Sequence, residues 1–130
     1  MAQESNQGLK SFTCQDTMTA FRVVVMDSTT AGRINRFATA SSIVIGVSAD
    51  SAETGGSVPV VIYGTARVSC AASVSAGSIV GPSTDGAGQI VERSRAATAG
   101  TVKIGVALQS GSANSIIEVL LQPLNLGPVT

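Results

Sequence analysis

Residues 43–64 read IVIGVSADSAETGGSVPVVIYG. This stretch contains an apolar segment, a small polar loop with two adjacent glycines, and a second apolar segment, which is the pattern of two β-strands joined by a turn. A related stretch, VKIGVALQSGSANSIIEVLLQ, spans residues 102–122. A shift of 59 positions places the I-G-V of residues 45–47 on the I-G-V of residues 104–106. The pattern of apolar positions is therefore kept, while the polar residues between them differ.

The correspondence continues towards the N-terminus with a second offset. A shift of 56 positions places Cys14 on Cys70, and a single three-residue insertion accounts for the change of offset. Matches that keep their order at a fixed spacing are the signature of a repeated unit. We therefore predict two copies of one strand-rich unit, at residues 8–63 and 64–122.

The composition favours an all-β fold. Hydrophobic residues make up 44% of the 130-residue chain, but only three Phe and one Tyr are aromatic. The core must therefore be built from Val, Ile, Leu and Ala, of which the β-branched residues pack well in strands. Short apolar segments alternate with turn-forming Gly, Asp, Ser and Pro at the spacing of a barrel or sandwich. We predict one compact β-barrel or sandwich in which the two duplicated units close against each other and cover their strand edges.

The apolar pattern divides the chain into three segments. Residues 1–11 are mostly polar and are predicted to form an extended N-terminal arm, residues 12–122 a single β domain, and residues 123–130 an irregular C-terminal tail. Chain ends are commonly frayed. Two interpretations of the first segment therefore stay open: a disordered end, or an arm that becomes ordered against a neighbouring molecule.

Four residues are candidates for an interface with another protein chain: Leu9, Phe12, Phe21 and Pro59. The first three are bulky apolar residues in or near the polar N-terminal segment, where they can anchor an arm. Pro59 lies inside a predicted strand, where it removes a backbone donor and indicates the beginning of the strand or an exposed edge. Only 12% of the residues are charged, which favours a surface that is partly covered by other chains.

Nucleic acid and membrane are not predicted partners. The eight Lys and Arg residues are balanced by eight Asp and Glu residues and are dispersed along the chain, whereas phosphate binding draws on clustered basic residues. No stretch approaches the roughly 18 to 20 apolar residues of a membrane span. The first ten residues lack the basic start and apolar centre of a signal peptide. We therefore expect synthesis in a cytoplasm.

The residues that usually carry enzyme chemistry are scarce. The sequence contains no histidine, which is the usual general base and the commonest metal ligand. Cys14 and Cys70 are too few for a zinc site, and their equivalent positions favour a packing role over a disulfide or a reactive thiol. The pair Asp50 and Glu53 is the best candidate for acid–base or calcium chemistry, but the second copy has no carboxylates at the corresponding positions. We predict no enzymatic activity, no cofactor and no bound metal.

The order of features along the chain resembles that of the capsid cement, or head decoration, proteins of tailed bacteriophages. These features are an apolar strand, the turn D-S-T-T-A-G at residues 27–32 or P-S-T-D-G-A-G at residues 82–88, the motif R-x-A-T-A, I-G-V, a polar loop, and V-x-V. The resemblance covers about residues 21–122, which is most of the chain.

This resemblance implies a non-catalytic virion protein, made in the host cytoplasm, that sits on the outer capsid surface. It implies binding to the major capsid protein, assembly as a homo-oligomer, often a trimer, and stabilisation of the capsid lattice against internal DNA pressure. The N-terminal segment would reach onto the capsid or an adjacent subunit. The alternative is a carbohydrate or host-surface binding module of a phage head fibre or tail appendage. The shortage of aromatic residues argues against it, because sugar sites usually present aromatic faces.

Overall fold

The computed structural model describes residues 8–37, 44–83, 87–93 and 102–121, and these ranges contain nine strands and no helix. The strands are β1 (Gly8–Cys14), β2 (Val23–Met26), β3 (Arg33–Arg36), β4 (Val44–Ser48), β5 (Ser57–Ser69), β6 (Ile79–Pro82), β7 (Ile90–Glu92), β8 (Gly105–Ala107) and β9 (Ile116–Leu121). Within these ranges no helix is long and apolar enough to span a lipid bilayer. The prediction of an all-β fold is confirmed.

The first five strands form a closed barrel. Neighbours follow the order β1-β3-β2-β4-β5, and β1 pairs again with β5 to close the ring. The closing pair is antiparallel, with Lys10 opposite Val60, whereas β1 and β3 run parallel, with Cys14 opposite Ile34. Closure leaves no free edge among these five strands, because each finds a partner on both sides.

Strand β5 belongs to both parts of the fold. Its first part pairs with β1 and β4, and its second part pairs with β9, beginning with Gly64 opposite Leu121. The remaining neighbours follow the order β9-β8-β6-β7. An isolated parallel bridge pairs Ile90, the first residue of β7, with Cys70, the residue after β5. Gly64 has a φ of 93°, a conformation that glycine adopts without steric cost, and it lies where the strand passes from one set of partners to the other.

Residues 8–63, the first half, and residues 64–121, the second half, have corresponding hydrogen-bonding positions. The isolated bridge between Met18 and Ala52 corresponds to the bridge between Val74 and Gly111, at offsets of 56 and 59 positions. Positions of positive φ also correspond, as the pairs Phe21 and Gly77, Gly32 and Gly88, and Gly55 and Asn114. The two sequence offsets therefore relate residues that hold the same place in the strand pairing of each half.

The buried side chains form two clusters. The smaller one fills the barrel of the first half and consists of Cys14, Met18, Val24, Ile34, Val58 and Val60. The larger one fills the second half and also includes Phe37, Val47 and Val61 from the outside of the first barrel. The second half is thus packed against the outer surface of the first. Cys14 and Cys70 are both free and fully buried, one in each cluster.

The predicted N-terminal arm is too long at its C-terminal end. Residues 8–11 belong to β1, where Leu9 pairs with Val61 and Ser11 pairs with Pro59. The segment looked polar because three consecutive residues of this strand, Leu9, Lys10 and Ser11, are all exposed and two of them are polar. Residues 1–7 of the predicted arm and the predicted tail at residues 123–130 lie outside the described residues.

Candidate interaction surfaces

The structure brings three of the four predicted interface residues together on β1 and β5. Leu9 is 55% exposed, whereas Phe12 is half-buried and packs against the core of the first barrel. The Lys10 ammonium lies 5.7 Å from the centroid of the Phe12 ring, within cation–π range. Pro59 is half-buried as the third residue of β5, and its carbonyl accepts a hydrogen bond from the Ala49 amide. Leu9 therefore offers the most accessible apolar surface of the three.

Phe21 lies apart from the other three, at the junction of the two halves. Its φ is 67°, an uncommon left-handed conformation for a bulky residue. The conformation is held by two backbone hydrogen bonds: the Phe21 amide donates to the Ser48 carbonyl at 2.7 Å, and its carbonyl accepts from the Ser69 amide at 2.9 Å. Phe21 also lines an open cleft of about 170 Å³ between the halves, with Val61 and Arg67 among its other walls. This position gives Phe21 a role in joining the halves.

The sequence did not reveal a second apolar surface, on the outer side of β8 and β9. Leu108 is 45% exposed, Ile116 48% and Leu120 37%. We call these three residues the β8–β9 face. Ile116 and Leu120 alternate along β9 with buried residues, and the exposed Glu118 lies between them. The signal in the sequence was the run IIEVLL, in which both alternating sets of positions are largely apolar although one set faces outwards.

A smaller apolar patch is formed by Leu9 and Tyr63. The Tyr63 side chain is 51% exposed and its ring lies over Gly8, its register partner across β1 and β5. A Cβ atom at Gly8 would stand 2.0 Å from the ring, so glycine at this position allows the ring to lie flat on the barrel. Leu9 and Tyr63 give the first half an exposed apolar patch on a closed, rigid support.

Two carboxylates are tied into turns. The Asp27 carboxylate accepts hydrogen bonds from the Thr29 hydroxyl at 2.8 Å and the Thr30 amide at 2.6 Å, and these bonds lower the pKa of Asp27. The Glu92 carboxylate accepts from the Ser75 amide at 2.7 Å and the Ser78 hydroxyl at 3.0 Å, which lowers the pKa of Glu92. Both acids therefore stabilise local backbone geometry in their charged forms.

The carboxylate pair predicted as the best candidate for chemistry lies in an exposed loop. Asp50 and Glu53 are both exposed, and the Asp50 carboxylate accepts a hydrogen bond from the amide of Ser51. Among the residues that the structure describes, no group of three or more Cys, Asp or Glu side chains is placed to hold a metal ion. The observed contacts of Asp50 are those of a turn residue.

Acid should destabilise the protein through Asp27 and Glu92. Because folding lowers both pKa values, their stabilising effect is complete above the ordinary values of 3.8 and 4.5 and is lost as the pH falls through the folded-state values. We expect the melting temperature of the wild type to fall more steeply between about pH 5 and pH 2 than that of the double variant Asp27→Asn, Glu92→Gln. Calorimetry across this range measures both. The exposed pair Asp50→Asn, Glu53→Gln is the control, and a double variant that keeps the wild-type slope would contradict the assignment.

The fold is shared with the base of a bacteriophage head fibre. The crystal structure of the head fiber gp8.5 N base in bacteriophage phi29 matches with a TM-score of 0.69, over 95% of this chain and 98% of that chain, at 13% sequence identity. At this identity the likeness establishes a common fold. Neither a protein-family model nor a curated protein sequence matches the chain. The sequence resemblance to head decoration proteins is thus accompanied by a structural likeness to a head fibre base.

Proposed function

We propose that this protein is a structural component of a tailed-phage virion that attaches to the outer surface of the head and contacts the major capsid protein. The observation that carries the proposal is the fold shared over 95% of the chain with a phage head fibre base. The sequence resemblance to head decoration proteins points to the same location on the particle. The proposal assigns the protein a role in binding and no role in catalysis.

The exposed apolar residues support such a role. Leu9 and Tyr63 on the first half and the β8–β9 face on the second present large apolar side chains on rigid strands. Rigid surfaces lose little conformational entropy on binding, so more of the contact energy is available for attachment. A head shell offers many identical sites, and an attached oligomer can engage several of them at once. Modest contacts at each site then add up to high avidity.

The proposal predicts saturable binding to heads. Purified protein mixed with expanded, undecorated heads of its own phage should sediment with them and reach a fixed number of copies per head. Excess unlabelled protein should displace labelled protein from the heads, whereas an unrelated β-barrel protein of similar size should not bind. If the protein binds neither the expanded nor the unexpanded heads of that phage, the proposed function is contradicted.

Two forms of attachment are compatible with this role. In the first, the protein is a cement that stabilises the lattice of the major capsid protein. In the second, which the likeness to a fibre base favours, it is the head-bound base of an appendage that carries a carbohydrate or host-surface binding module. Heating decorated and undecorated heads side by side distinguishes them. A cement raises the temperature at which the shell releases its DNA, whereas a fibre base binds without changing that temperature.

A further inference from the structure

We infer that copies of this chain associate head to tail, with the β8–β9 face of one copy against the first half of the next. The contact reproduces the junction that already joins the two halves within one chain. The inference concerns the free protein in solution and goes beyond head attachment, so it can fail or succeed whether or not the protein binds heads.

The junction within the chain is made by the outer side of the first barrel. Val47 and Val61 lie on the outside of β4 and β5, yet they are only 1% and 3% exposed, because they belong to the core cluster of the second half. Backbone hydrogen bonds cross the junction, from the Val23 amide to the Gly88 carbonyl at 2.7 Å and from the Ser69 amide to the Phe21 carbonyl at 2.9 Å. The outer side of the first barrel is thus a docking surface that is already occupied.

The corresponding outer surface of the second half, at β8 and β9, is apolar but exposed. At an offset of 59 positions, Val47 corresponds to Val106, which is half-buried, and Val61 corresponds to Leu120, which is 37% exposed. Two further members of the β8–β9 face, Leu108 and Ile116, stand where the first half has Ala49 and Ser57. No described segment of the chain covers these side chains to the extent that the second half covers Val47 and Val61. The second half therefore carries an unused copy of the docking surface, with larger apolar side chains.

The docking surface of the first half packs against a part of the second half that we call the receiving surface. A corresponding receiving surface is present on the first half. In the second half the receiving turn is Ala87 and Gly88: the Arg22 guanidinium donates to the Ala87 carbonyl at 3.3 Å, and Gly88 is buried. A Cβ atom on Gly88 would stand 3.0 Å from the Cβ atom of Arg22. The corresponding turn of the first half is Ala31 and Gly32, at an offset of 56 positions. Both of these residues are exposed, and a Cβ atom on Gly32 would meet nothing within 4 Å.

Leu9 provides the apolar part of the receiving surface in the first half. Its counterpart at 56 positions is Thr65, which lines the cleft at the junction of the halves together with Val47 and Val61. Where the second half has a threonine, the first half has a leucine that is 55% exposed. The first half thus presents an exposed large apolar side chain on its receiving surface, and the second half presents an exposed apolar face.

These two surfaces are different and lie on different halves, so the contact is heterologous. A heterologous contact between identical chains closes into a ring when the rotation at each joint allows, and otherwise extends into a filament. One junction within each chain and one between chains would then alternate around the assembly. The occupant of the β8–β9 face is a second copy of this protein.

The mass of the protein in solution tests the inference. Sedimentation should show species heavier than the 13.0 kDa monomer, of a single mass if the contacts close into a ring and of a range of masses if they extend into a filament. Leu120→Glu on one surface and Leu9→Glu on the other should each reduce the protein to monomer. Thr54→Glu should not, because Thr54 and its counterpart Ala113 are both exposed within the chain and so take no part in the junction of the halves. Circular dichroism and thermal melting confirm that each variant is folded, and either of the first two variants alone is sufficient if the other misfolds. A monomeric wild type, or folded Leu9→Glu and Leu120→Glu variants that keep the wild-type mass, would overturn the inference.

Cross-linking tests the pairing of the two surfaces. Within the chain Gly88 lies against Arg22, and the corresponding residues between chains are Gly32 of one copy and Ser78 of the next. A Gly32→Cys chain mixed with a Ser78→Cys chain should form a mixed disulfide under mild oxidation at several times the yield of either chain alone. The native cysteines are fully buried, so the wild type serves as the background. Equal yields from the single variants alone would indicate a symmetric contact, and the absence of any mixed product would likewise reject the head-to-tail arrangement.

Discussion

Replacement of Gly105 by alanine should lower the free energy of unfolding by about 3 kcal/mol, at the upper end of the cost of overpacking. A Cβ atom at this position would lie 1.9 Å from the Leu120 carbonyl oxygen. The obstacle is backbone on the neighbouring strand β9, so it cannot move aside as a flexible side chain would. Urea denaturation followed by circular dichroism measures the change.

The matched control for this substitution is Gly55→Ala. A Cβ atom at Gly55 would meet nothing within 4 Å, and its φ of 81° is the only source of strain, at a cost of about 1 kcal/mol. Gly46→Ala should resemble Gly105→Ala, because its Cβ atom would lie 2.2 Å from the Val61 carbonyl oxygen at the corresponding place in the first half. Equal losses at Gly55 and Gly105 would contradict the close strand contact.

Replacement of Phe37 by alanine should lower the free energy of unfolding by about 3 to 5 kcal/mol. Phe37 is fully buried in the cluster that joins the two halves, and it is among the largest fully buried side chains. Because small domains have a total stability of about 5 to 15 kcal/mol, the variant should be close to unfolding at room temperature. Thermal and urea denaturation of the wild type and the variant provide the comparison.

Phe12→Ala is the control for the Phe37 substitution. This substitution removes the same number of atoms, but Phe12 is half-buried and packs only at the margin of the smaller cluster. The decrease in the free energy of unfolding should therefore be less than half as large as for Phe37→Ala. A comparable loss for the two variants would show that the junction of the halves contributes no more to stability than the barrel surface does.

Much of the strand pattern could be predicted from local sequence. The two apolar segments predicted as strands in residues 43–64 correspond to β4 and to the first part of β5, because side-chain sterics and backbone preferences act over a few residues. The boundary of the predicted N-terminal arm at residue 11 was wrong, because it depends on long-range strand pairing. Gly8 and Gly64 suggest chain ends or turns, but long-range pairing places both in strands, Gly8 under the Tyr63 ring and Gly64 within the continuous strand β5.

The surfaces could be predicted only in part. Leu9 and Phe21 were both predicted at an interface with another chain. In the structure Leu9 is exposed on β1, and Phe21 lies at the junction of the halves. Strand periodicity shows that Leu120 and Val119 point to opposite sides of β9. It does not show which side another part of the chain covers, because that depends on how the two halves pack. The exposure of the β8–β9 face therefore depends on the packing of the two halves, which the periodicity of β9 does not determine.

The architecture is compatible with the proposed binding role. Closure of the first barrel removes free edges among strands β1 to β5, so these strands are protected from the uncontrolled edge pairing that leads to aggregation. Specific contacts must then be made by side chains on the outer faces of the strands. Leu9 and Leu120 are large apolar residues on such faces. A rigid body with a few defined apolar surfaces suits a protein that is assembled once, in many copies, on a symmetric shell.

The most direct measurement of the proposed role is an electron cryo-microscopy reconstruction of the phage head with and without this protein. The account predicts extra density on the outside of the shell, at symmetry-related positions in contact with the major capsid protein, into which the nine-stranded body fits. Density of this shape inside the shell or on the tail, or identical maps for the two particles, would contradict it.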